Sequence, residues 1–237
     1  MAPDVSLVLP AYNEAPRLAA VVGEWAASLA ALGVTHEIVV YDDGSSDGTP
    51  QVLAALLAAH PALSVVRHEN RGHGPTVLRA YREARGSWIA QADADGEIDV
   101  AGFPALWAAR ASADLVVGRR HGRSSPWVRR FITAVSSLTV RVAFGPGIHD
   151  VNCPFRLMRA ATMRPLFDLL PADTFAPNVA LSGLAVAHGL RVAECPVQSR
   201  VRRQGAGSLA GIRALGAAMR SWTQTLRLAR QARQRRR

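Results

Sequence analysis

Four times before residue 94, a short apolar run stops at a polar turn and a segment of helical period follows. The runs are Val5–Pro10, His36–Asp42, Leu63–His68 and Ser87–Asp93. The helical segments between and after them are Ala15–Leu32, Gly48–His60 and Gly74–Arg85, then a short helix before a further strand over Ala113–Arg120. Continuous apolar strands alternating with helices predict a mostly parallel, Rossmann-like α/β sheet covered by helices on both faces. No other feature constrains the fold as strongly, because it also fixes where ligands go. In open parallel sheets they bind outside the carboxyl ends of the strands. That rule puts "PAYNE", "YDDGSSD" and "DADGE" on one rim.

Beyond residue 120 the spacing predicts a helix over Arg129–Gly145 and a polar turn running into a short strand over His149–Arg159. A helix over Asn178–Gly189 and a strand over Leu190–Val197 follow. At the start of the second helix, Pro50 suits the first position, and Asp47 or Thr49 suits the cap.

The basic residues are all arginine, 28 of them, with no lysine. Lysine Schiff-base chemistry and a Walker-type phosphate loop are thereby excluded. Residues 1–195 carry 17 Arg against 18 Asp and Glu, whereas residues 196–237 carry 11 Arg and no acid. A near-neutral body with a basic end implies an anionic partner there: nucleic acid, membrane or pyrophosphate. The two cysteines, Cys153 and Cys195, make neither a disulfide framework nor a zinc site and suit a reducing compartment. Val5–Leu9 is too short for a leader's apolar core and lacks its basic flank, and no run is long enough to cross a bilayer. The expected location is cytoplasmic.

The acidic turns carry the chemistry. Asp93 and Asp95 lie two apart at a strand exit and share a face, with Glu97 next in line. Hard oxygen ligands in that arrangement suit Mg²⁺ or Mn²⁺, although a solvated acidic turn has the same appearance. Asp42 and Asp43 precede a Gly-Ser turn, where a carboxylate accepts from a nucleobase N–H or ribose hydroxyls. An Asx turn with a helix cap is the structural alternative there.

Taken together, "SLVLPAYNEAPRL", "EIVVYDDGSSDGT", "NRGHGPTVLRA" and "GSWIAQADADGE" resemble, in order and spacing, the inverting family 2 glycosyltransferases with the GT-A fold. "VGRR", "DVNCPFRLMR" and "RVRRQGAGS" resemble the branch that transfers sugars to polyprenyl phosphate, which includes dolichol-phosphate mannosyltransferase. The resemblance implies a catalytic domain over residues 1–207. Within it, residues 1–120 bind the nucleotide sugar and 121–207 bind the acceptor, and an amphipathic basic helix and tail follow over 208–237. It implies that Pro10, Tyr12 and Glu14 line the nucleoside pocket with Asp42 and Asp43, and that Asp93 touches ribose or the metal region. Asp95 and Glu97, where relatives often carry Gln, would hold the divalent ion. Arg119 and Arg202 or Arg203 would face phosphates, with Ser208 in the loop that closes on the donor.

The "Gln-x-x-Arg-Trp" sequence of sugar-polymerising relatives is absent. A phosphate acceptor, ionised near neutral pH, needs positioning more than a general base. Arg129 and Arg130 are candidates to hold it, with Asp150 and Asn152 organising the cleft; Asp150 as a buried partner of Arg156 is the alternative. Ile212, Leu215, Met219, Trp222 and Leu226 form one apolar stripe flanked by arginines, a pattern for peripheral membrane contact or for packing on the domain. His73, in "NRGHG", stands beside the expected rim.

The functional expectation is hexose transfer from a GDP- or UDP-sugar to polyprenyl phosphate at the cytoplasmic membrane face. A family 2 transferase with a soluble or glycan acceptor is the alternative within enzymes. A basic nucleic-acid-binding module is the alternative outside them; carboxylates along the rim oppose it by repelling phosphodiesters.

Overall fold

A computed structural model describes residues 2–121, 137–145, 147–200, 223, 224 and 227. Seven strands make one sheet in the order β3-β2-β1-β4-β6-β5-β7. They are β1 (Val5–Ala11), β2 (His36–Asp42), β3 (Leu63–Arg67), β4 (Trp88–Gln91), β5 (Leu115–His121), β6 (Arg156–Arg159) and β7 (Val192–Gln198). β1 pairs in parallel with both β2 and β4, β2 with β3, and β5 with β7. β6 alone runs antiparallel, between β4 and β5. The expected mostly parallel sheet is present, and its strands fall where the apolar runs predict.

The helices are α1 (Ala15–Ala31), α2 (Thr49–Ala59), α3 (His73–Glu83), α4 (Phe103–Ala109), α5 (137–144), α6 (Ala160–Phe167) and α7 (Pro177–Ala187). Every residue of β1 and of β4 is buried, so both faces of the central sheet are covered. Trp25 of α1 packs edge-on against Phe103 of α4, their ring centroids 4.9 Å apart, and joins Phe155 beside β6. Tyr81 of α3 stacks on Phe167 of α6 at 5.3 Å. α7 is buried almost throughout, as its near-unbroken apolar sequence requires. Of the expected C-terminal helix, Thr223, Gln224 and Arg227 are described and helical, and the Gln224 Oε1 accepts from the Phe175 N–H at 2.9 Å. The stripe itself, Ile212, Leu215, Met219, Trp222 and Leu226, lies outside the described residues.

The edge opposite the expected rim is held by charge. Asp114, at the start of β5, accepts from Arg159 Nε at 3.0 Å and from Arg191 Nε and Nη2, each at 3.1 Å. Hydrogen bonds from Arg191 hold the Asp114 carboxyl below its ordinary value. A carboxylate depressed in the fold stabilises it above the unfolded pKa of about 3.9, and that stability is lost as pH falls through the folded value. Acid melts should therefore show an Asp114→Asn chain already weakened at neutral pH and less dependent on pH below about 4 than the parent. Parallel acid limbs would dismiss the effect.

Gly74, in the first turn of α3, lies against the loop before α7. A Cβ there would fall under 3.0 Å from the carbonyl oxygens of Thr174 and Phe175. Ordinarily Gly→Ala in a helix stabilises by about 0.5–1 kcal/mol. Here the backbone has no room, and Gly74→Ala should instead destabilise by roughly 1–3 kcal/mol in denaturant melts.

Candidate active site

The register of β1 with β2 matches Ala11 to Asp42, so the two chains leave the sheet side by side. Their loops then bind each other. Asn13 takes the left-handed conformation at φ 57°. Its Oδ1 accepts from the N–H of Ser46 at 2.9 Å and of Asp47 at 3.3 Å, and its own N–H donates to Ser45 Oγ at 2.9 Å. In return, the Glu14 N–H donates to Thr49 Oγ1 at 3.0 Å and the Ala15 N–H to Asp47 Oδ2 at 3.3 Å. The first turn of α1 has no cap from its own N-cap residue; the β2 loop caps it across the rim. Thr49 is thus the first residue of α2 and not its cap, while Asp47 Oδ1 accepts from the Thr49 N–H at 2.9 Å.

The two carboxylates after β2 differ. Asp43 is engaged by the N–H groups of Arg71 at 2.7 Å and Gly72 at 3.0 Å, which fixes the turn into α3. Asp42 is fully buried; its Oδ1 accepts from the Ser45 N–H at 2.9 Å. Its Oδ2 has no hydrogen bond among the described residues, and Arg67 Nε stands 3.3 Å away as an ion-pair partner without hydrogen-bond geometry. Tyr12, in contrast, is 49% exposed on the rim.

β4 delivers the second acidic group. Asp93 and Asp95 follow it directly, and the Glu97 N–H folds back onto Asp95 Oδ1 at 2.9 Å through Gly96, which is left-handed at φ 64°. Burial pushes the Asp95 carboxyl up to about 7, helped by the charge of Asp93 beside it, while the Glu97 N–H opposes the rise. Arg17 Nη1 ties α1 to this turn through the Asp95 carbonyl at 3.0 Å. His73 Nε2 lies 3.9 Å from Asp93 Oδ1, so the histidine does stand at this rim. Gln91 Nε2 reaches the same oxygen at 3.4 Å.

Among the described residues no group of three or more His, Cys, Asp or Glu side chains is gathered to hold a metal ion. A hard divalent cation at a phosphate site does not need one. It takes one or two carboxylates and completes its shell with water and phosphate oxygens. Asp93 and Asp95, crowded enough to raise a pKa, fit that donor set.

β7 brings a third segment to this turn. The Arg200 N–H donates to the Glu97 carbonyl at 2.7 Å and the Asp99 N–H to the Gln198 carbonyl at 3.0 Å. The Arg200 side chain spans Glu24 and Asp99. The chain therefore passes Glu97 two residues before Arg202 and Arg203, which lie outside the described residues, as do Ser208, Arg129 and Arg130.

At the exit of β5, Arg119 is exposed. Its neighbour Arg120 grips Asp150 with two bonds of 2.7 Å, from Nε and Nη2, and the pair is nearly buried. Asp150 is thus partnered by Arg120 and not by Arg156. Glu194 of β7 accepts from the His149 N–H at 2.9 Å and the Asp150 N–H at 3.1 Å, which completes the anchor. Arg156 is fully buried and donates to the carbonyls of Val151, Cys153 and Asn178. Burial pulls its guanidinium below the usual value. Sequence reasoning missed Asn13, Arg17, Arg120 and Arg200, although the "NE" after β1 and the second arginine of "VGRR" were in view.

Comparison with known proteins follows this geometry. The profile of glycosyl transferase family 2 matches residues 6–167. An undecaprenyl-phosphate 4-deoxy-4-formamido-L-arabinose transferase from Edwardsiella ictaluri is 28% identical over 85% of this chain and 61% of its own length. The enzyme of the same name from Pseudomonas paraeruginosa is 30% identical over 74% of this chain and 53% of its own. The chain thus spans little more than half the length of these curated relatives.

Among solved structures, glucosyl-3-phosphoglycerate synthase from Mycobacterium tuberculosis, in complex with Mn²⁺ and UDP-glucose, superposes with a TM-score of 0.68 at 19% identity, covering 96% of this chain and 79% of that one. A mannosyltransferase from Pyrobaculum calidifontis, in complex with GDP-Man and Mn²⁺, superposes at 0.61 and 19% identity, covering 98% and 74%. The shared architecture is the GT-A fold. With a profile match running from β1 through α6 and the strand-end carboxylates in place, the chain belongs to glycosyl transferase family 2.

Proposed function

We propose that the chain transfers a sugar from a nucleoside diphosphate donor to a polyprenyl phosphate, at the cytoplasmic face of a membrane, with Mg²⁺ or Mn²⁺. The observation that carries the reading is the Asp93–Asp95 turn, whose crowded carboxylates at a parallel-strand exit call for a cation and a diphosphate. The names of the relatives supply the acceptor class.

In this reading the nucleoside lies across the exits of β1 and β2. Tyr12, exposed on the rim, offers a ring face, and Pro10 and Glu14 complete the wall. Asp42 supplies the acceptor for a base N–H, which requires Arg67 to move aside because the carboxylate is covered. Asp43 contributes by holding the turn at Arg71 and Gly72. The diphosphate lies over β4, where Asp93 and Asp95 would hold the divalent ion; Glu97, expected as a third ligand, is not gathered with them into a metal-holding group among the described residues. When bound, that ion offsets the charge that grows on the departing diphosphate. Arg119, Arg202 and Arg203 offer planar forks to the same oxygens.

Arg120 already engages both oxygens of Asp150, which makes that carboxylate an anchor of the fold. The chemistry tolerates this. An acceptor phosphate has a second pKa of about 6 and needs no base. Its oxygen forms the bond to the anomeric carbon while the bond to the β-phosphate oxygen breaks, with inversion. Arg129 and Arg130 are placed by this reading at the acceptor phosphate, and the arginine-flanked C-terminal stripe at the membrane surface. Among the described residues no helix is long and apolar enough to cross a membrane.

Purified chain, Mn²⁺, labelled UDP- or GDP-sugar and detergent-dispersed polyprenyl phosphate should yield label in the organic phase. Asp95→Ala should lower that transfer by about 10²–10³, the size of effect seen when a group stabilising transition-state charge is removed. Full turnover by the variant would defeat the assignment of Asp95. Transfer only to a soluble acceptor would replace the lipid with a glycan or small molecule.

A further inference from the structure

We infer that Asn13 is a positioning residue for the donor: its clasp on the β2 loop holds the nucleoside pocket in shape. The inference rests on the donor reading above and extends it to a residue outside the expected site set. Asn13 is the one described residue other than glycine with a positive φ. A left-handed residue is uncommon away from glycine, and asparagine tolerates it best because its short amide bonds locally. Here the amide bonds across the rim, 33 and 34 positions along the chain, to the N–H groups of Ser46 and Asp47.

The consequence is geometric. The left-handed turn at Asn13 reverses the chain between Tyr12 and Glu14, so that Tyr12 stays exposed on the rim while α1 starts within two residues. The amide fixes the distance from that turn to the loop whose first residues are Asp42 and Asp43. Ser45 closes the circuit twice: its Oγ accepts from the Asn13 N–H, and its own N–H holds Asp42 Oδ1. Tyr12 and Asp42 are thereby set relative to each other through Asn13 and Ser45, and once Arg67 moves aside a base meets the two at a fixed separation. Without the amide, the N–H links of Asn13, Glu14 and Ala15 remain but the Ser46–Asp47 turn loses its hold; binding must then order that turn, and affinity falls by the population of the competent arrangement.

The clasp lies at the nucleoside end, one strand removed from Asp93 and Asp95. Its loss should weaken donor binding and leave the bond-breaking step intact. Asn13→Gly keeps the left-handed turn and removes the amide, so it separates the clasp from the backbone conformation. The full chain would be titrated with UDP and GDP in Mn²⁺ by calorimetry, and donor KM and kcat measured where transfer is seen. Asn13→Gly is expected to bind the preferred nucleotide about tenfold more weakly, a factor equal to 1.4 kcal/mol. Donor KM should rise by a similar factor with kcat within about twofold, the pattern of lost uniform binding. A purely structural role would lower the folded fraction and hence apparent kcat, with KM unmoved, and that result overturns the inference. So does nucleotide affinity equal to the parent's. A parent chain that binds neither nucleotide overturns the donor reading itself, and the role of Asn13 with it.

Discussion

Parallel pairing of β1 with both β2 and β4 is the constraint on which the rest of the molecule depends. Three strands that run the same way must release their chains at the same edge. The polar residues that end each apolar run are therefore collected by the backbone, and the bonds between their loops follow from that collection rather than cause it. For the carboxylates the collection is unfavourable: burial first, and then the charge of Asp93, raise the Asp95 carboxyl. The sheet pays for that crowding with its buried interior: β1 and β4 have no exposed residue, so neither can withdraw to relieve the charge above it. Stability and function are separated in space, with Asp114 and its arginines fastening one edge and the acidic turns occupying the other.

How legible this was in the sequence depended on the range of the interaction. Strand and helix positions follow from local period, and the runs at Val5, His36, Leu63 and Ser87 all became strands; those of β1, β2 and β4 are buried on both faces, while β3 forms the sheet edge and stays half-exposed. β6 is a different case. The spacing predicts a short strand ending at Arg159, but Arg156–Arg159 carries two arginines in four residues, and nothing in them shows that the strand lies between β4 and β5. Arg156 is tolerated there because the carbonyls of Val151 and Cys153, in the turn just before β6, and of Asn178, in the first turn of α7, receive its guanidinium. The sequence does not show that this turn folds back onto its own arginine. From the sequence, Asp150 is expected either to organise the cleft or to pair with Arg156; its partner is Arg120 of β5, because Arg156 is already taken up by backbone carbonyls.

Within the site, residue type revealed the acids but not their employment. Asp42 and Asp43 are adjacent and chemically alike, and both were reasonable ligands. The fold divides them: successive side chains leave a strand on opposite sides. Asp43 meets the N–H groups of Arg71 and Gly72, while Asp42 turns inward beneath Arg67. The same division explains why Asn13 escaped notice. Its value lies in a backbone angle and in partners supplied by the neighbouring strand's loop, and neither leaves a periodic trace.

The C-terminal half extends this logic to charge. Residues 196–237 hold 11 arginines and no acid, so no carboxylate within that segment can neutralise them. Arg200 shows where part of the compensation comes from. It enters beside Glu97 and is paired with Glu24 and Asp99, acids contributed by the first half of the chain. β7 itself brings Arg200 to the acidic turn after β4, because its exit runs antiparallel to residues 97–99. The first arginine of the basic segment is thus engaged in holding that turn, with Glu24 of α1 and Asp99 as its two carboxylate partners.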